Sequence, residues 1–413
     1  MIVEPRGNVT RTSINSEPIP RKADAAAPLM RPRETSMKAI PRAPKMLMSL
    51  TAMLTAVLFT GCTAPPPTAA SPANTSGRAA EGGGAPLSVE KLCGDRPIKI
   101  AHVDGFGANS WKKITAAELK DELSVCKNVT VDYAQSDADL QKYITAINSY
   151  TAQGYDAIIT YDDFGTQALS ALANAHKAGV VVVPYIGDPG GQVGVDYDGY
   201  VEYAFDIEGG MMAKWLAERI PDGGNVIFTG GLPSGSPPSV EVFNGLTDMN
   251  ADLGTPFRLA TDRPIASGWE PAYMQRAMSG VLTKHDQIDG WASDYGVGDL
   301  GGLRAFLNAG RPIPPLATSA GSNELGCFWL QHKDKNPNFQ LLTLDGTTTV
   351  VRIAGRKALA ALNGMPDNEP EAFELPVFVD TANGKLPTCR DDLPPDADLS
   401  SGLSEEAFKA VFK

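Results

Sequence analysis

The stretch "IKIAHVDGFGANSWKKITAAELKDELSVCKNVTVDYA", residues 98–134, decides the fold. Residues 98–104 form a short apolar run rich in Ile and Val, which predicts a buried strand. Residues 111–126 then space their apolar side chains as a helix does, and residues 128–134 read as a second strand. Strand, helix and strand in this order predict two parallel strands of an α/β sheet.

The same order continues along the chain and then restarts. "DAIITYD" and "VVVVPYI" are further strand candidates, and the helix candidate "EGGMMAKWLAERI" with the strand candidate "GNVIFTG" begins a second series. The strand runs are almost continuously apolar, as expected when helices cover both faces of a sheet. We therefore predict two Rossmann-like lobes, each a three-layer α/β/α structure, with a crevice between them.

Composition limits the function. The chain has 413 residues, of which 43% are hydrophobic and 20% are charged, values typical of a globular protein. Its formal charge of -12 argues against nucleic-acid binding, which needs an excess of Lys and Arg. No Cys/His spacing indicates zinc. We expect no cofactor, no metal and structural roles for the four scattered histidines.

Residues 1–61 are interpreted as a leader that ends in a signal peptide. Residues 46–61, "MLMSLTAMLTAVLFTG", are uncharged and apolar but short for a transmembrane helix. Three basic residues precede this run: Lys38, Arg42 and Lys45. This arrangement is typical of a secretory signal that starts at Met37. Residues 1–36 are then either a start codon assigned too far upstream or a disordered extension.

The sequence "LFTGC" resembles the lipobox of bacterial lipoproteins, with Cys62 as the lipidated residue. Residues 62–92 would then be the lipidated cysteine and a flexible linker, because residues 63–88 are rich in Pro, Ala, Ser, Thr and Gly. This interpretation predicts an exported protein anchored to the outer face of the cytoplasmic membrane. The alternative is an ordinary signal peptide with a chance cysteine.

Four cysteines remain after Cys62, an even number that suits an oxidising compartment. They allow three pairings, and the sequence alone does not choose among them. We favour Cys93–Cys126 and Cys327–Cys389, because each pair would join the end of an element to a nearby loop.

Polar and aromatic residues follow the predicted strands, where ligands of parallel sheets bind. The ligand-binding candidates are Asn109, Trp111, Asp162, Asp163, Asp188, Ser234, Trp269, Asp294, Tyr295, Ser319 and Asn323. Aromatic faces suit the C–H face of a sugar ring, while carboxylate and amide oxygens suit its hydroxyls. These positions offer no Lys or Arg, so an uncharged polyol is expected. Each Asp, Asn or Ser taken alone also suits a turn or a helix cap.

The region from about residue 97 to 385 resembles the periplasmic sugar-binding proteins of the ribose/galactose type. The matching stretches are "NSWKK", "QGYDAIITYDD", "ANAHKAGVVVV", "GGNVIFTGG" and "SGWEPAYMQRAMSGVLTKHDQIDGWASDYGVGDLGGLRAFLNAG". The resemblance implies a type I periplasmic-binding-protein-like fold with a multi-segment hinge. It places residues 97–206 and about 322–375 in the first lobe, and about 207–320 and about 376–413 in the second.

The resemblance also implies a function, that of the substrate-binding lipoprotein of an ABC importer, as in Gram-positive bacteria. The family's ligand contacts fall on Asn109, Trp111, Asp162, Asp188, Trp269 and Asp294, with a hinge-side polar residue near Ser319 to Asn323. We expect a monomer that closes around its solute and then meets a membrane permease.

Two positions depart from the family pattern. Val242 stands where many members have an arginine, and "SAG" at 319–321 replaces their Phe-Asp-Gly turn. Both departures disfavour ribose and galactose themselves, and they favour a deoxy sugar, a less polar polyol or a non-sugar molecule.

Other classes of protein fit less well. "GFGANS" imitates a dinucleotide-binding loop with Asp132 ending the next strand, but Ser110 replaces the third glycine and Trp111 would crowd the pyrophosphate. A hydrolase is disfavoured because no G-x-S-x-G motif is present. A repressor is excluded by the export signal and by the absence of a helix-turn-helix segment. A binding protein that presents its solute to a signalling receptor would share the same fold and crevice, so this alternative stays open.

Overall fold

The structure, a computed structural model, describes residues 85–413 apart from three positions, Ala108, Ser234 and Glu374. The leader 1–61, the proposed lipidation site Cys62 and most of the tether 63–88 therefore lie outside the described residues. The end of the predicted linker 62–92 forms a short helix whose Leu92 is buried. The folded part thus begins before residue 97.

Strands and helices alternate through most of the described chain. In chain order the strands are β1 (Ile98–Asp104), β2 (Val129–Gln135), β3 (Ala157–Tyr161), β4 (Val181–Ile186), β5 (Val201–Tyr203), β6 (Asn225–Thr229), β7 (Arg258–Leu259), β8 (Gly290–Ser293), β9 (Leu316–Thr318), β10 (Leu341–Leu344), β11 (Ala372–Phe373) and β12 (Val377–Asp380). The helices are α1 (Val89–Leu92), α2 (Ser110–Leu123), α3 (Leu140–Ala152), α4 (Leu169–Lys177), α5 (Phe205–Arg219), α6 (Pro237–Ala251), α7 (Pro271–Lys284), α8 (Gly296–Asn308), α9 (Asn323–His332), α10 (Val350–Leu362) and α11 (Glu405–Ala410).

Short polar residues and prolines start several of these helices. Asn109 caps α2 by accepting a hydrogen bond from the Lys112 amide, and Asp139 caps α3 in the same way. Proline occupies the first turn of α6 and of α7, where its missing N–H costs nothing. These local signals fix where each helix begins after its strand.

The strands form two sheets, and each sheet defines a lobe. The first sheet has the order β11-β5-β4-β3-β1-β2, and the second has the order β12-β10-β9-β8-β6-β7. Neighbouring strands are parallel except for β10 and β12, which are antiparallel. The strand ends lie in register: Asp104 pairs with Tyr161, and Ser293 pairs with Thr318. The loops after the strands therefore meet at one edge of each sheet.

Each sheet is covered on both faces, which confirms the predicted three-layer lobes. Successive residues of β1 alternate between two cores: Ile100 packs in the core beneath α2 and α10, while Ala101 packs in the core beneath α3 and α4. In the second lobe, Phe228 faces α5 and α6, whereas Ile227 faces the core that α7, α8 and α9 cover. The two lobes belong to one compact unit of the chain.

A close contact between two helices positions one wall of the crevice. A Cβ atom added to Gly209 of α5 would lie 2.0 Å from the Val242 carbonyl oxygen of α6. A Cβ atom on Gly245 of α6 would lie 2.2 Å from the Asp206 carbonyl oxygen of α5. Glycine is therefore required at both positions, and the first turn of α5 packs closely against the middle of α6.

The return segment joins a different lobe from the one that we expected. We placed residues from about 322 in the first lobe, but α9 packs against α8, and β10 pairs with β9 and β12 in the second sheet. The chain re-enters the first lobe only with α10. The assignment was wrong because an apolar strand pattern does not say which sheet the strand joins.

The C-terminal segment, residues 385–413, also departs from the expected assignment to the second lobe. Asn323 of α9 holds its start by donating a hydrogen bond to the Arg390 carbonyl at 2.7 Å. The segment then crosses to the first lobe, where Asp396 accepts hydrogen bonds from the Ser110 amide at 3.0 Å and from the Ser110 hydroxyl at 2.6 Å. Phe408 packs there against Ile114 of α2.

One disulfide lies in each lobe. The structure joins Cys93 to Cys126 with an S–S distance of 2.01 Å, and Cys327 to Cys389 with an S–S distance of 1.97 Å. These are the two pairings that we favoured from the sequence. The second disulfide ties α9 to the start of the C-terminal segment.

Candidate ligand-binding site

A cavity of about 120 Å³ lies between the two lobes, at the ends of their strands. This volume is below the range of about 300–1,000 Å³ that is common for drug-sized ligands. The cavity therefore suits a small solute.

The structure brings together seven of the residues predicted from the sequence. The first lobe contributes Asn109, Trp111 and Asp163 to the cavity wall, and the second contributes Trp269, Asp294, Tyr295 and Ser319. Each follows a strand, as the parallel-sheet argument required.

Three predicted residues lie outside this cavity wall. Asp162 is buried, and one of its oxygens accepts a hydrogen bond from the Phe164 amide at 3.0 Å. Asp188 accepts from the Gly190 amide at 2.7 Å in an exposed turn. Asn323 is occupied by the C-terminal segment. All three serve turns or chain contacts, which is the alternative role that these residue types share. Ser234 lies outside the described residues.

A lysine that the sequence analysis overlooked forms part of the first-lobe wall. Lys112 is only 4% exposed, and its Nζ donates to Asp104 and to Asp163, each at 3.2 Å. The same Nζ lies 3.3 Å from the centre of the Tyr161 ring, a cation–π contact. None of the ligand-binding candidates named from the sequence is a lysine or an arginine, but the cavity wall does contain this lysine, which is paired with two carboxylates. The adjacent Trp111 in "NSWKK" was the available signal.

A buried network holds Asp104 beneath Lys112. The Tyr133 hydroxyl donates to one Asp104 oxygen at 2.9 Å, and the Tyr185 hydroxyl donates to the other at 3.4 Å. His102 Nε2 lies 2.8 Å from the Tyr185 hydroxyl oxygen. Burial lowers the pKa of His102 to about 4, so the ring is neutral at pH 7. The network therefore fixes the position of Lys112 without adding a second cation.

The second-lobe wall is built around Asp294, which follows β8. Its oxygens accept hydrogen bonds from the Ser239 hydroxyl, from the Gly231 amide at 3.2 Å and from the Trp269 indole at 3.3 Å. Every one of these donors is neutral. Burial raises the pKa of Asp294 to about 6 despite the three donors. The carboxylate is thus oriented but not neutralised.

Glu208 is a further wall residue that sequence reasoning missed. It lies in the first turn of α5, is 2% exposed, and lines the cavity. Burial, together with the charge of Asp294, raises the pKa of Glu208 to about 8. In the sequence this residue is one more polar position of an amphipathic helix, so no local pattern marks it.

Aromatic side chains close the cavity from both lobes. Phe106 of the first lobe packs edge-on against Trp269 of the second, with ring centres 5.6 Å apart. Trp111 packs edge-on against Tyr161 and donates its indole N–H to the Gly346 carbonyl at 2.6 Å. Gly346 lies in the connection between β10 and α10, where the chain passes from one lobe to the other.

Strained backbone positions gather at the same place. Non-glycine residues with positive φ include Ile186, Trp269, Ala320 and Thr347, all of which line the cavity. Positive φ is unfavourable for β-branched residues such as Ile186 and Thr347. Strain of this kind is common at ligand sites, where the surrounding structure holds it. The backbone conformation therefore marks the cavity as a candidate ligand site, independently of the side chains.

Other kinds of site receive no support from the described part of the chain. It gathers no cluster of three or more His, Cys, Asp or Glu side chains placed to bind a metal. Within the same residues, no helix has both the length and the apolar character needed to cross a bilayer.

Two α/β lobes that meet around a small cavity define the class of two-lobed solute-binding proteins. A model of the family described as "Periplasmic binding protein domain" matches residues 104–335, more than half of the chain. The chain therefore belongs to the periplasmic binding protein domain family. Membership implies a location outside the cytoplasm and a binding role rather than an enzymatic one, so the dinucleotide-enzyme and hydrolase alternatives are set aside.

Solved structures share this fold at low sequence identity. The arabinose-binding component of an ABC transporter from Shewanella sp. ANA-3 is 17% identical, with a TM-score of 0.58, and the match covers 68% of this chain and 91% of that one. An ABC transporter solute-binding protein from Actinobacillus succinogenes with bound D-allose is 20% identical, with a TM-score of 0.58 and coverage of 69% and 98%.

A third structure, the Caulobacter myo-inositol-binding protein, is 18% identical, with a TM-score of 0.58 and coverage of 70% and 95%. At these identities the likeness shows the fold alone. Among curated proteins, no sequence matches this chain significantly.

Proposed function

We propose that this chain is the lipid-anchored, substrate-binding protein of an ABC importer and that it binds a sugar or polyol between its lobes. The observation that carries the proposal is the cavity itself, where aromatic faces and oriented carboxylates from both lobes surround a small volume. Aromatic faces suit the C–H faces of a sugar ring, and Asp294 has oxygens available for hydroxyls. The proteins of similar fold named above are described as binding arabinose, allose and myo-inositol.

We further propose that binding closes a hinge. Among the described residues, the chain passes between the two lobes in four connections: β5 to α5, β10 to α10, β11 to β12, and the C-terminal segment that follows β12. Opening about these connections would part the Phe106–Trp269 contact and admit the solute. A ligand shifts such an equilibrium only through its better binding to the closed form. The closed surface would then be the one that a permease recognises.

Thermal-shift and calorimetric screening of the purified protein against sugars, polyols, amino acids and nucleosides tests the ligand class. A ligand at 100 times its Kd stabilises the protein by about 2.7 kcal/mol. We expect a sugar or polyol to give this shift, and we expect Asp294→Ala and Trp111→Ala to abolish it. Asp248→Ala on the exposed face of α6 is the matched control and should keep the shift.

Two results would contradict this site. Stabilisation by a sugar that persists in both cavity variants would place the ligand elsewhere, and stabilisation only by amino acids or nucleosides would refute the ligand class. Small-angle scattering tests the hinge separately. The radius of gyration should fall when the ligand is added, and an unchanged value at saturation would contradict closure.

The anchor and the importer role need tests in cells. Labelled palmitate should be incorporated into the protein and lost in Cys62→Ser, which should also release the protein from the membrane. Deletion of the gene should abolish uptake of the stabilising solute. Uptake that continues while a transcriptional response to the solute disappears would favour the receptor-presenting alternative.

A further inference from the structure

The two walls of the cavity differ in how their acidic groups are paired. Lys112 on the first-lobe wall is used by Asp104 and Asp163, which leaves no excess positive charge there. On the other side, neither Glu208 nor Asp294 forms an ion pair with a Lys, Arg or His of the described residues. Among the described residues, Asp345, in the connection after β10, accepts hydrogen bonds only from neutral donors, the Thr347 amide and the Ser400 hydroxyl. The cavity therefore has acidic groups that form no ion pair with any Lys, Arg or His of the described residues.

Among these acidic groups, Glu208 has the clearest unmet need for a hydrogen-bond donor. Its Oε1 is buried and has no hydrogen-bond partner among the described residues, although the side chain lines the cavity. A buried carboxyl oxygen without a hydrogen-bond partner is costly, and native proteins rarely keep such an atom without a use. A ligand that donates to Oε1 would remove this cost in the bound state.

The chemistry of the wall limits what that donor can be. A hydroxyl group would give Glu208 one hydrogen bond but would not offset the negative charge of Asp294, which no Lys, Arg or His of the described residues pairs with. An ammonium group can donate to both side chains, offset the charge of Asp294 and stabilise Glu208 in its ionised form. The faces of Phe106 and Trp269 nearby also favour a cation, since aromatic rings attract positive charge.

We propose that the cavity takes a hydroxyl-bearing solute that also carries an ammonium group, with the ammonium held by Glu208 and Asp294 on the second-lobe wall. The hydroxyl groups then face the first-lobe wall, where Lys112 and Asn109 offer donors and acceptors. This inference rests on the proposed function, because it narrows the sugar or polyol class to its amino derivatives.

The charge state of the empty cavity supports the proposal. The raised pKa of Glu208, about 8, keeps this carboxyl protonated at pH 7 when no ligand is bound. An ammonium ligand stabilises the ionised form, so binding would release a proton from Glu208. A neutral sugar would release none from this group.

The test is calorimetry at pH 7 with matched sets of compounds: glucosamine, galactosamine and mannosamine, each beside its parent hexose and its uncharged N-acetyl derivative. We expect at least one amino sugar to bind at least 10-fold more tightly than both of its partners. Glu208→Gln should remove that preference and also the proton release, which is measured by repeating the titration in buffers of different ionisation enthalpy.

Asp206→Asn is the matched control for the variant. Asp206 lies in the same turn of α5 and is also an acidic residue, but its side chain is exposed and does not line the cavity. We expect this control to keep both the preference and the proton release. If Glu208→Gln does not fold, the wild-type comparison of amino and N-acetyl sugars and the wild-type proton release decide the matter.

The outcomes separate the two proposals. Parent hexoses that bind as tightly as their amino derivatives would overturn this inference and leave the proposed function standing. The same conclusion follows if Glu208→Gln keeps the full preference for an amino sugar. If no compound of any set binds and none of the wider screen of sugars and polyols does, the proposed function fails as well.

Discussion

The two lobes have the same architecture but stabilise their charged groups in opposite ways. In the first lobe, Asp104 and Asp163 share a buried cation, and tyrosine hydroxyls complete the shell of Asp104. In the second lobe, Asp294 is held by neutral donors and Glu208 keeps an oxygen without a partner. The charged groups of the first wall are thus paired within the protein, whereas the second wall keeps an unpaired carboxyl oxygen. The comparison shows that a repeated fold does not repeat its electrostatics.

Removing the cation of the first wall should have the largest effect. Lys112→Met keeps most of the side-chain volume but leaves Asp104 and Asp163 buried without a counter-charge. Breaking a buried ion pair on one side costs roughly 3–5 kcal/mol. Urea denaturation at pH 7 should show a loss of this size in the free energy of unfolding. Lys113→Met, an exposed neighbour on the same helix, should change it little.

A second substitution sharpens this test. Asp104→Asn combined with Lys112→Met should recover part of the lost stability, because it removes one of the two unpaired charges. A loss below about 1 kcal/mol in Lys112→Met alone would mean that the first wall does not depend on its cation.

The second wall should affect how the stability of the protein depends on pH. The folded protein holds the proton of Glu208 up to about pH 8, while the unfolded chain loses it near the ordinary glutamate pKa of about 4.5. Raising the pH through this window therefore favours the unfolded state, and the ligand-free protein should lose stability from about pH 4.5 to 8. Other buried acids with raised pKa, such as Asp162 and Asp299, act in the same direction.

Glu208→Gln isolates the contribution of this residue to the pH dependence of stability. Relative to the wild type, the variant should gain about 1–3 kcal/mol of stability between pH 5 and pH 8, since each unit of pKa shift is worth about 1.4 kcal/mol at most. Unfolding free energies measured at pH 5, 6, 7 and 8 for both proteins give the difference. A constant difference across this range would show that Glu208 does not titrate as described.

The smallest effect is expected for two tryptophan substitutions, which are best compared with each other. Trp111→Phe removes an indole hydrogen bond to the Gly346 carbonyl in the connection between the lobes, and Trp329→Phe removes one to the Phe339 carbonyl within the second lobe. Each variant should lose about 1 kcal/mol of stability. Only Trp111→Phe should also weaken ligand binding, as measured by calorimetry. Equal effects on affinity would mean that Trp111 has only a structural role.

The sequence alone determined the alternation of strands and helices, the two lobes and the edge of each sheet at which the cavity lies. These features depend on local periodicity and on the rule that parallel strands place their following loops at one edge. For this reason Asn109, Trp111, Trp269 and Asp294 could be identified as cavity residues without any structure. Each lies in the segment that follows a predicted strand, and Asp294 comes directly after β8.

Only the tertiary structure decided which neighbouring residues face the cavity and which charges meet there. Asp163 lines the cavity while the adjacent Asp162 turns into its own loop, and Asn323 holds the C-terminal segment instead of a ligand. The contact between Ser110 and Asp396 joins residues 286 positions apart. Such contacts depend on how distant segments pack together, and no local pattern of residues encodes that packing.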